Sequence, residues 1–126
     1  MKRANEKKDY AAKIAAQGSM SFHAEEKHFS STHVAVHSEF VNRLNGWNEA
    51  YDYIELYFDT LKEIGSYPIK DNVYIHMKVD DFHQFAESGT FCLNNIDIDK
   101  KQYRGSFKCL TLDGIQVEGE FEVSQA

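Results

Sequence analysis

The sequence has little of what marks an exported or membrane-spanning protein. It holds two cysteines and a single proline, and no apolar run approaches the roughly 18 residues needed to span a bilayer. Its basic first residues are not followed by an apolar segment, so they do not form a secretory signal. We therefore expect a cytoplasmic protein in which Cys92 and Cys109 remain free thiols, because cytosolic thiols are kept reduced.

Positive charge is scarce over most of the chain. Residues 1–16 hold five Lys or Arg against two Asp or Glu, whereas residues 17–126 hold nine against eighteen. Such an acidic body repels phosphate backbones, so we expect no nucleic-acid partner, and it attracts a basic protein surface. The 126 residues fit one domain, and seventeen aromatic residues supply a core that needs no cofactor or metal.

What the chain does contain is a series of short runs typical of strands, after an alanine-rich start. Residues 4–16 predict a short helix, so we assign residues 1–17 to a helical N-terminal extension and residues 18–126 to one β-sandwich domain. Whether the extension is native stays open, because Gly18-Ser19-Met20 also resembles a cloning remnant. The predicted strand runs are 19–23, 32–41, 51–59, 66–70, 72–79, 88–98, 103–111 and 115–123. Turns are predicted between many of them, at Asn45-Gly46, Gly65, Asp80-Asp81, Asp99-Lys100-Lys101 and Asp113-Gly114. Seven or eight such strands predict an all-β, antiparallel sandwich or a barrel-like variant of it.

Two glycines in the last hairpin, Gly105 and Gly119, lie where a strand normally carries side chains. We predict a three-residue loop over 112–114 with Gly114 left-handed in a bulge. In that register an aromatic ring lies over each glycine, and pairs of opposite charge fill the other face. The predicted pairs are Thr111 with Ile115, Cys109 with Val117, Phe107 with Gly119, Gly105 with Phe121, Lys108 with Glu118, and Arg104 with Glu122.

The preceding hairpin contains a break in strand alternation at Asn94-Asn95. A bulge there places four apolar side chains on the core face. They are Phe91, Leu93, Ile96 and Ile98. With the bulge we expect Cys109 to face Phe91 and Cys92 to point away. Without it, a turn centred on Lys100-Lys101 pairs the two cysteines and permits a disulfide. We favour two free thiols, because the chain shows no export signal.

Short glycine and aromatic motifs resemble those of a known family. They are Gly18-Ser19-Met20-Ser21-Phe22, Ile54-Glu55-Leu56 with Gly65-Ser66-Tyr67-Pro68-Ile69, Ser88-Gly89-Thr90-Phe91, Tyr103-Arg104-Gly105-Ser106-Phe107, and Asp113-Gly114 with Val117-Glu118-Gly119-Glu120-Phe121-Glu122-Val123. Over residues 18–123 the chain is similar to an uncharacterised bacterial β-sandwich family, mostly small lipoproteins of the Bacteroidetes type. The resemblance implies an antiparallel sandwich, assigns no catalytic residues, and implies an envelope location as the alternative to the cytoplasm.

Histidines and a cysteine supply the candidates for chemistry. His33 and His37 share a face if their run is a strand, and converging imidazoles can ligate zinc or another transition metal, so the two are weak metal candidates. Cys92 beside a histidine would form a reactive thiolate pair. No nucleophile elbow, phosphate-binding loop or zinc-protease motif is present, and we expect a protein that is not an enzyme.

The most suggestive pattern is aromatic. Six residues share outward positions on two predicted strands: Tyr51, Tyr53, Glu55, Tyr57, Tyr74 and His76. Tyrosine offers a large contact area at low entropic cost, so these residues predict a surface for another protein. The competing interpretation places the same rings at a sandwich edge or in a homo-oligomer contact.

These observations lead to one functional expectation with alternatives. We expect a non-enzymatic protein-interaction module, of which an immunity or inhibitor protein is one form, that binds a basic protein surface through an acidic, aromatic strand face. The first alternative is a sandwich or barrel that carries a small hydrophobic ligand in its interior. A histidine-dependent metal-binding protein or enzyme is the third class.

Overall fold

The computed structural model describes residues 16–38, 42–58, 63–70, 73–97 and 99–125. Strands make up the regular structure of these residues, and no helix occurs among them. The strands are β1 (Ala16–Ala24), β2 (Lys27–Ser31), β3 (His33–Ser38), β4 (Asn42–Trp47), β5 (Tyr53–Phe58), β6 (Gly65–Pro68), β7 (Val73–Val79), β8 (Phe82–Asp97), β9 (Gln102–Thr111) and β10 (Gln116–Gln125). The helix predicted over 4–16 lies outside the described residues except for Ala16, which begins β1.

The strands form one antiparallel sheet that is nearly closed into a barrel. Their order is β2-β1-β10-β9-β8-β7-β5-β4-β3, and β6 pairs with β8 beside this path. The two ends of the path, β2 and β3, follow each other in the chain. At their junction the Ser31 hydroxyl donates to the Trp47 carbonyl and accepts the His33 backbone N–H at 2.9 Å. The all-β antiparallel prediction is confirmed, in its barrel-like form.

Two described strands, β2 and β4, were not among the predicted runs. The turn before β2 is only Glu25-Glu26, and Glu25 takes the left-handed conformation at φ 54° without a glycine to signal it. The turn predicted at Asn45-Gly46 is wrong, because both residues lie inside β4. A Cβ on Gly46 would lie 3.1 Å from Met20 Cβ, so this glycine permits the close approach of β1.

The last hairpin has the predicted register. Phe107 pairs with Gly119, Gly105 with Phe121, and Arg104 with Glu122, and the other predicted strand pairs are also present. At the loop, the Thr111 N–H donates to Ile115 O at 2.9 Å, and Gly114 has φ 79°. The two glycines therefore make room for core phenylalanines and need no ligand to explain them.

The hairpin of β8 and β9 has the predicted bulge but not the predicted pairing. The register shifts between Leu93 and Asn95, as expected, yet Cys109 faces Gly89 and not Phe91. The turn is centred one residue earlier than predicted, because the Lys100 N–H donates to Asp97 Oδ1 at 3.2 Å and closes it there. Both cysteines are free. Phe91 and Leu93 are buried and Ile96 packs against the core, while Ile98 lies outside the described residues.

Aromatic rings fill the interior between the curved halves of the sheet. Phe91 lies with its ring centroid 5.3 Å from those of both Phe58 and Phe121, and Tyr103 lies 5.4 Å from Phe58. All four side chains are buried. The Tyr103 hydroxyl donates to Asn42 Oδ1 at 3.1 Å, so its one polar group is satisfied.

Candidate binding face

Strand alternation on β5 turns one set of side chains outward. Ile54, Leu56 and Phe58 are fully buried, whereas Tyr53, Glu55 and Tyr57 lie on the opposite side and are partly exposed. This alternation follows from the period of two in an extended chain, and it confirms the predicted phase of β5.

The neighbouring strands extend that outer side into a continuous surface. In register, Tyr74 on β7 lies opposite Tyr57, His76 lies opposite Glu55, and Phe85 on β8 lies opposite His76. We call this surface the aromatic face. Its members are Tyr53, Glu55, Tyr57, Tyr74, His76, His83 and Phe85.

Glu55 occupies the centre of the aromatic face and is held on several sides. Its Oε2 accepts hydrogen bonds of 3.0 Å from the Tyr57 hydroxyl and from Asn45 Nδ2. Its Oε1 lies 3.4 Å from His76 Nδ1. These contacts fix the carboxylate and orient the two rings beside it.

His76 is enclosed by other members of the face. The Phe85 ring stacks on it with centroids 4.2 Å apart and planes 9° apart, and Tyr53 approaches edge-on at 5.1 Å. Its Nε2 lies 2.6 Å from His83 Nε2 and 3.2 Å from the Tyr53 hydroxyl. Burial lowers the pKa of His76 below its ordinary 6.5; the Glu55 carboxylate opposes this and His83 adds to it. His76 is therefore neutral at pH 7.

The two tyrosines of β5 keep their protons over the whole physiological range. Burial raises the pKa of Tyr53 above 10, and the charge of Glu55 adds to the effect. Burial and Glu55 likewise raise the pKa of Tyr57, although Arg43 opposes them. Both phenols therefore stay protonated at neutral pH, and neither becomes a phenolate nucleophile.

The structure does not bring Tyr51 onto this face. Tyr51 lies before β5 in a turn, at φ 65°, and is 80% exposed. The side-chain oxygen of Asn48 forms this turn by accepting the backbone N–H of Ala50 at 2.9 Å and of Asp52 at 3.0 Å. The strand pattern was extended two residues too far, because an asparagine-closed turn interrupts it.

Two members of the face were missed from the sequence, His83 and Phe85. The turn signal at Asp80-Asp81 was recognised, but no strand was predicted directly after it. A two-residue turn there pairs Val79 with Phe82, which places His83 and Phe85 on the same outer side as His76. Continuing the register of β7 through that turn was the signal that would have found them.

Besides Glu55 at its centre, the aromatic face has two carboxylates near Phe85. Glu87 follows Phe85 by two residues and contacts Lys70 at 2.8 Å, while Asp113 accepts a 2.7 Å hydrogen bond from Gln84. The alternating glutamates of β10 lie instead on the outside of a distant part of the sheet. Those residues are Glu118, Glu120 and Glu122. The glutamates of β10 therefore do not belong to the aromatic face.

The metal candidates His33 and His37 share β3 but do not converge. Four residues along a strand span about 13 Å, too far for one ion. His33 stacks on Trp47 with centroids 6.3 Å apart, and His37 pairs in register with Arg43. Within the described ranges, no group of three or more His, Cys, Asp and Glu side chains has an arrangement that could hold a metal ion.

The contacts that the structure gives for the two cysteines are with residues other than histidine. Cys92 Sγ lies 3.4 Å from Ser66 Oγ, and Cys109 is buried against Gly89. Burial raises the pKa of the Cys109 thiol to about 12, so it remains protonated at neutral pH. The predicted alternative of a Cys92 and histidine thiolate pair has no contact to support it among the side-chain contacts of Cys92 described here.

Comparison with known proteins adds no relative. No protein-family model, curated protein or solved structure matches the chain. The resemblance to the bacterial β-sandwich family therefore stays a prediction. The part of the chain that the structure describes contains no helix of the length and apolarity needed to cross a membrane.

Proposed function

We propose that the protein is a non-enzymatic interaction module that binds a basic protein surface through the aromatic face. The observation that carries this proposal is the outward cluster of rings around Glu55, in which His76 and Phe85 stack face to face. The partner would place an apolar or aromatic group against these rings and Lys or Arg side chains against the acidic border.

Exposed ring area supports an interface at this place. Tyr74 is 61% exposed and Phe85 is 50% exposed, which is unusual for side chains of this size on neighbouring strands. Leu112 is 64% exposed and its N–H donates to Phe85 O at 3.3 Å, so it extends the apolar area. Clusters of aromatic side chains of this kind supply most of the affinity in protein interfaces.

Preorganisation also supports the proposal. Tyr53, Tyr57 and His76 are already held by hydrogen bonds to one another or to Glu55. Binding therefore costs little additional side-chain entropy, which is a main cost of association. The same contacts engage both oxygens of the Glu55 carboxylate, so we assign this carboxylate a positioning role and no chemistry.

Charge supports a basic partner. The body of the chain is strongly acidic, and two carboxylates lie near Phe85: Glu87 two residues after it, and Asp113 next to Leu112, whose N–H donates to Phe85 O. Complementary charge at the edge of an interface mainly accelerates association and makes it sensitive to salt.

The filled interior favours this surface over the hydrophobic-carrier alternative. Phe58, Phe91 and Phe121 pack ring against ring between the halves of the sheet, with centroid separations of 5.3 Å. An interior ligand needs a cavity of several hundred cubic ångströms, about the volume of these rings.

The test is affinity capture from lysate of the source organism with matched variants as bait. The Tyr74→Ala/Phe85→Ala variant removes exposed ring area from the aromatic face, and Asp113→Lys reverses charge at its border. Glu120→Lys is the control, because it makes an equal charge reversal on the distant outer side of β10. Circular dichroism first establishes that all variants are folded.

We expect one stoichiometric protein retained by the natural protein and by Glu120→Lys. The Tyr74→Ala/Phe85→Ala variant should fail to retain this protein, and Asp113→Lys should release it at lower salt than the natural bait does. Equal retention by all four baits would overturn the proposal. So would a complex that sedimentation shows to consist only of copies of this chain, or a retained small molecule without a protein.

A further inference from the structure

We infer that His76 and His83 bind one proton as a single unit and that this proton weakens partner binding by the aromatic face. The regulatory half of the inference rests on the proposed function, whereas the proton-binding half rests on geometry alone. The pair lies at the centre of the face, between Glu55 and Phe85.

The two imidazoles meet nitrogen to nitrogen. Their Nε2 atoms are 2.6 Å apart while their ring centroids are 4.8 Å apart, so the nitrogens point at each other along the line that joins the rings. Two lone pairs would repel at this distance, and so would two N–H groups. One hydrogen must therefore lie between the rings, and the pair forms an N–H···N hydrogen bond.

Glu55 decides which ring donates. Its Oε1 lies 3.4 Å from His76 Nδ1, a position that favours a hydrogen on that nitrogen. A neutral His76 then has a bare Nε2, which accepts from the His83 Nε2–H. The Tyr53 hydroxyl lies 3.2 Å from the same Nε2 and 3.4 Å from His83 Nε2.

The first proton from solvent can enter without breaking this arrangement. It binds Nδ1 of His83, which lies on the exposed side of the pair, and His83 continues to donate its Nε2–H to His76. The bridge becomes a charge-assisted hydrogen bond, which is stronger than the neutral one. A second proton would have to bind His76 Nε2 and would place two N–H groups against each other. The pair therefore takes up one proton and resists the next.

The charges around the pair are balanced, so one added proton makes the net charge there positive. The side chains that face the pair come from four strands and one turn: Arg43 and Asn45 on β4, Tyr53, Glu55 and Tyr57 on β5, Tyr74 and Lys78 on β7, Phe85 on β8, and Asp52 before β5. Among them two cations and two carboxylates balance. Lys78 lies opposite His83 but is held by Asp52 at 3.3 Å. One added proton therefore leaves a net positive charge at the centre.

A positive centre opposes a basic partner. We expect the affinity for the captured protein to fall about five- to tenfold when the pair takes up its proton, the effect of one unit charge at a partly desolvated contact. Binding should thus weaken on acidification from pH 7.5 to pH 6.

Two measurements test the inference separately. The first is an NMR titration of the histidine ring resonances of the full chain, without any partner. We expect His76 and His83 to report the same transition, because one proton is shared by both environments. The variant His83→Gln keeps an amide N–H donor but cannot titrate, so His76 should lose the transition that it shares with His83 in the natural protein. Independent transitions, with His76 unaffected by His83→Gln, would overturn the pair.

The second measurement uses the protein retained on the bait at pH 7.5 and steps the wash to pH 6. The natural bait should release it and His83→Gln should retain it. Release that is equal for both baits, or absent from both, would overturn the regulatory role even if the NMR result supports the pair. A natural bait that retains nothing at pH 7.5 would overturn the proposed function, while the NMR result would still decide whether the pair exists.

Discussion

The substitution Gly105→Ala tests the register that the glycines of β9 permit. A Cβ at this position would lie 2.0 Å from Cys92 O and 2.8 Å from Phe121 Cζ. The first atom belongs to the backbone of β8, so it cannot move aside as a flexible side chain would. Gly105 does not have a positive φ, and alanine adopts its backbone conformation without strain. The destabilisation therefore comes from the clash alone.

The magnitude follows from two opposing effects. Forcing a methyl group into a packed site costs about 1 to 3 kcal/mol, and a backbone obstruction belongs at the upper end. Alanine also leaves the unfolded chain fewer conformations than glycine does, which stabilises the folded protein by about 0.4 to 1 kcal/mol. We expect the free energy of unfolding to fall by about 2 kcal/mol and Tm to fall by about 8 °C for a chain of this length.

The matched control is Gly65→Ala. The nearest atom to a Cβ there is the Tyr67 hydroxyl at 3.7 Å, an ordinary contact, and Gly65 also has no positive φ. This variant should be as stable as the natural protein or more stable by up to about 1 kcal/mol. Urea denaturation followed by circular dichroism measures both variants. Equal midpoints for Gly105→Ala and Gly65→Ala would refute the close approach of Cys92 O and Phe121 to Gly105.

Two further predictions concern ionisable groups. Burial alone would raise the pKa of Asp52, but hydrogen bonds from Asn48 and the Asp80 backbone and the contact with Lys78 lower it below 3.8. The native state therefore binds this proton less readily than the unfolded chain, and the stability that Asp52 contributes above pH 4 is lost as the pH falls further. In Asp52→Asn the free energy of unfolding, measured with urea, should depend less on pH in this range. An unchanged slope would contradict the assignment. Cys92 should react with a maleimide at pH 8 while buried Cys109 does not, and equal labelling of both thiols in the folded protein would argue against the described burial.

The elements that could be predicted from sequence are those whose signals are local and agree with one another. In the last hairpin, the turn residues, the two glycines and the charged pairs all require one register, and that register is present. On β5 the alternation of Ile54, Leu56 and Phe58 with outward residues was equally clear. Where turn chemistry and alternation support the same pairing, a one-residue slip would expose the whole apolar set.

The errors come from places where a local signal serves another purpose. Asn45-Gly46 has the composition of a hairpin turn, yet the glycine lies mid-strand because Met20 packs against it from β1. The turn between β8 and β9 moved by one residue because the Asp97 side chain closes it. The first error depends on a residue that is distant in the sequence, and the second depends on a single side-chain hydrogen bond. Hydrophobic periodicity reports neither kind of contact.

The aromatic face shows that net charge alone does not locate the proposed binding surface. The glutamates alternate along β10, whereas the aromatic residues of the proposed surface alternate along β5. The sheet order places three strands between them, since β10 reaches β5 only through β9, β8 and β7. The carboxylates that matter for a partner on this face are therefore those that the turns bring to its border, of which Asp113 is one. A charge reversal there and a charge reversal on β10 change the net charge equally, so any difference between them measures where the partner binds.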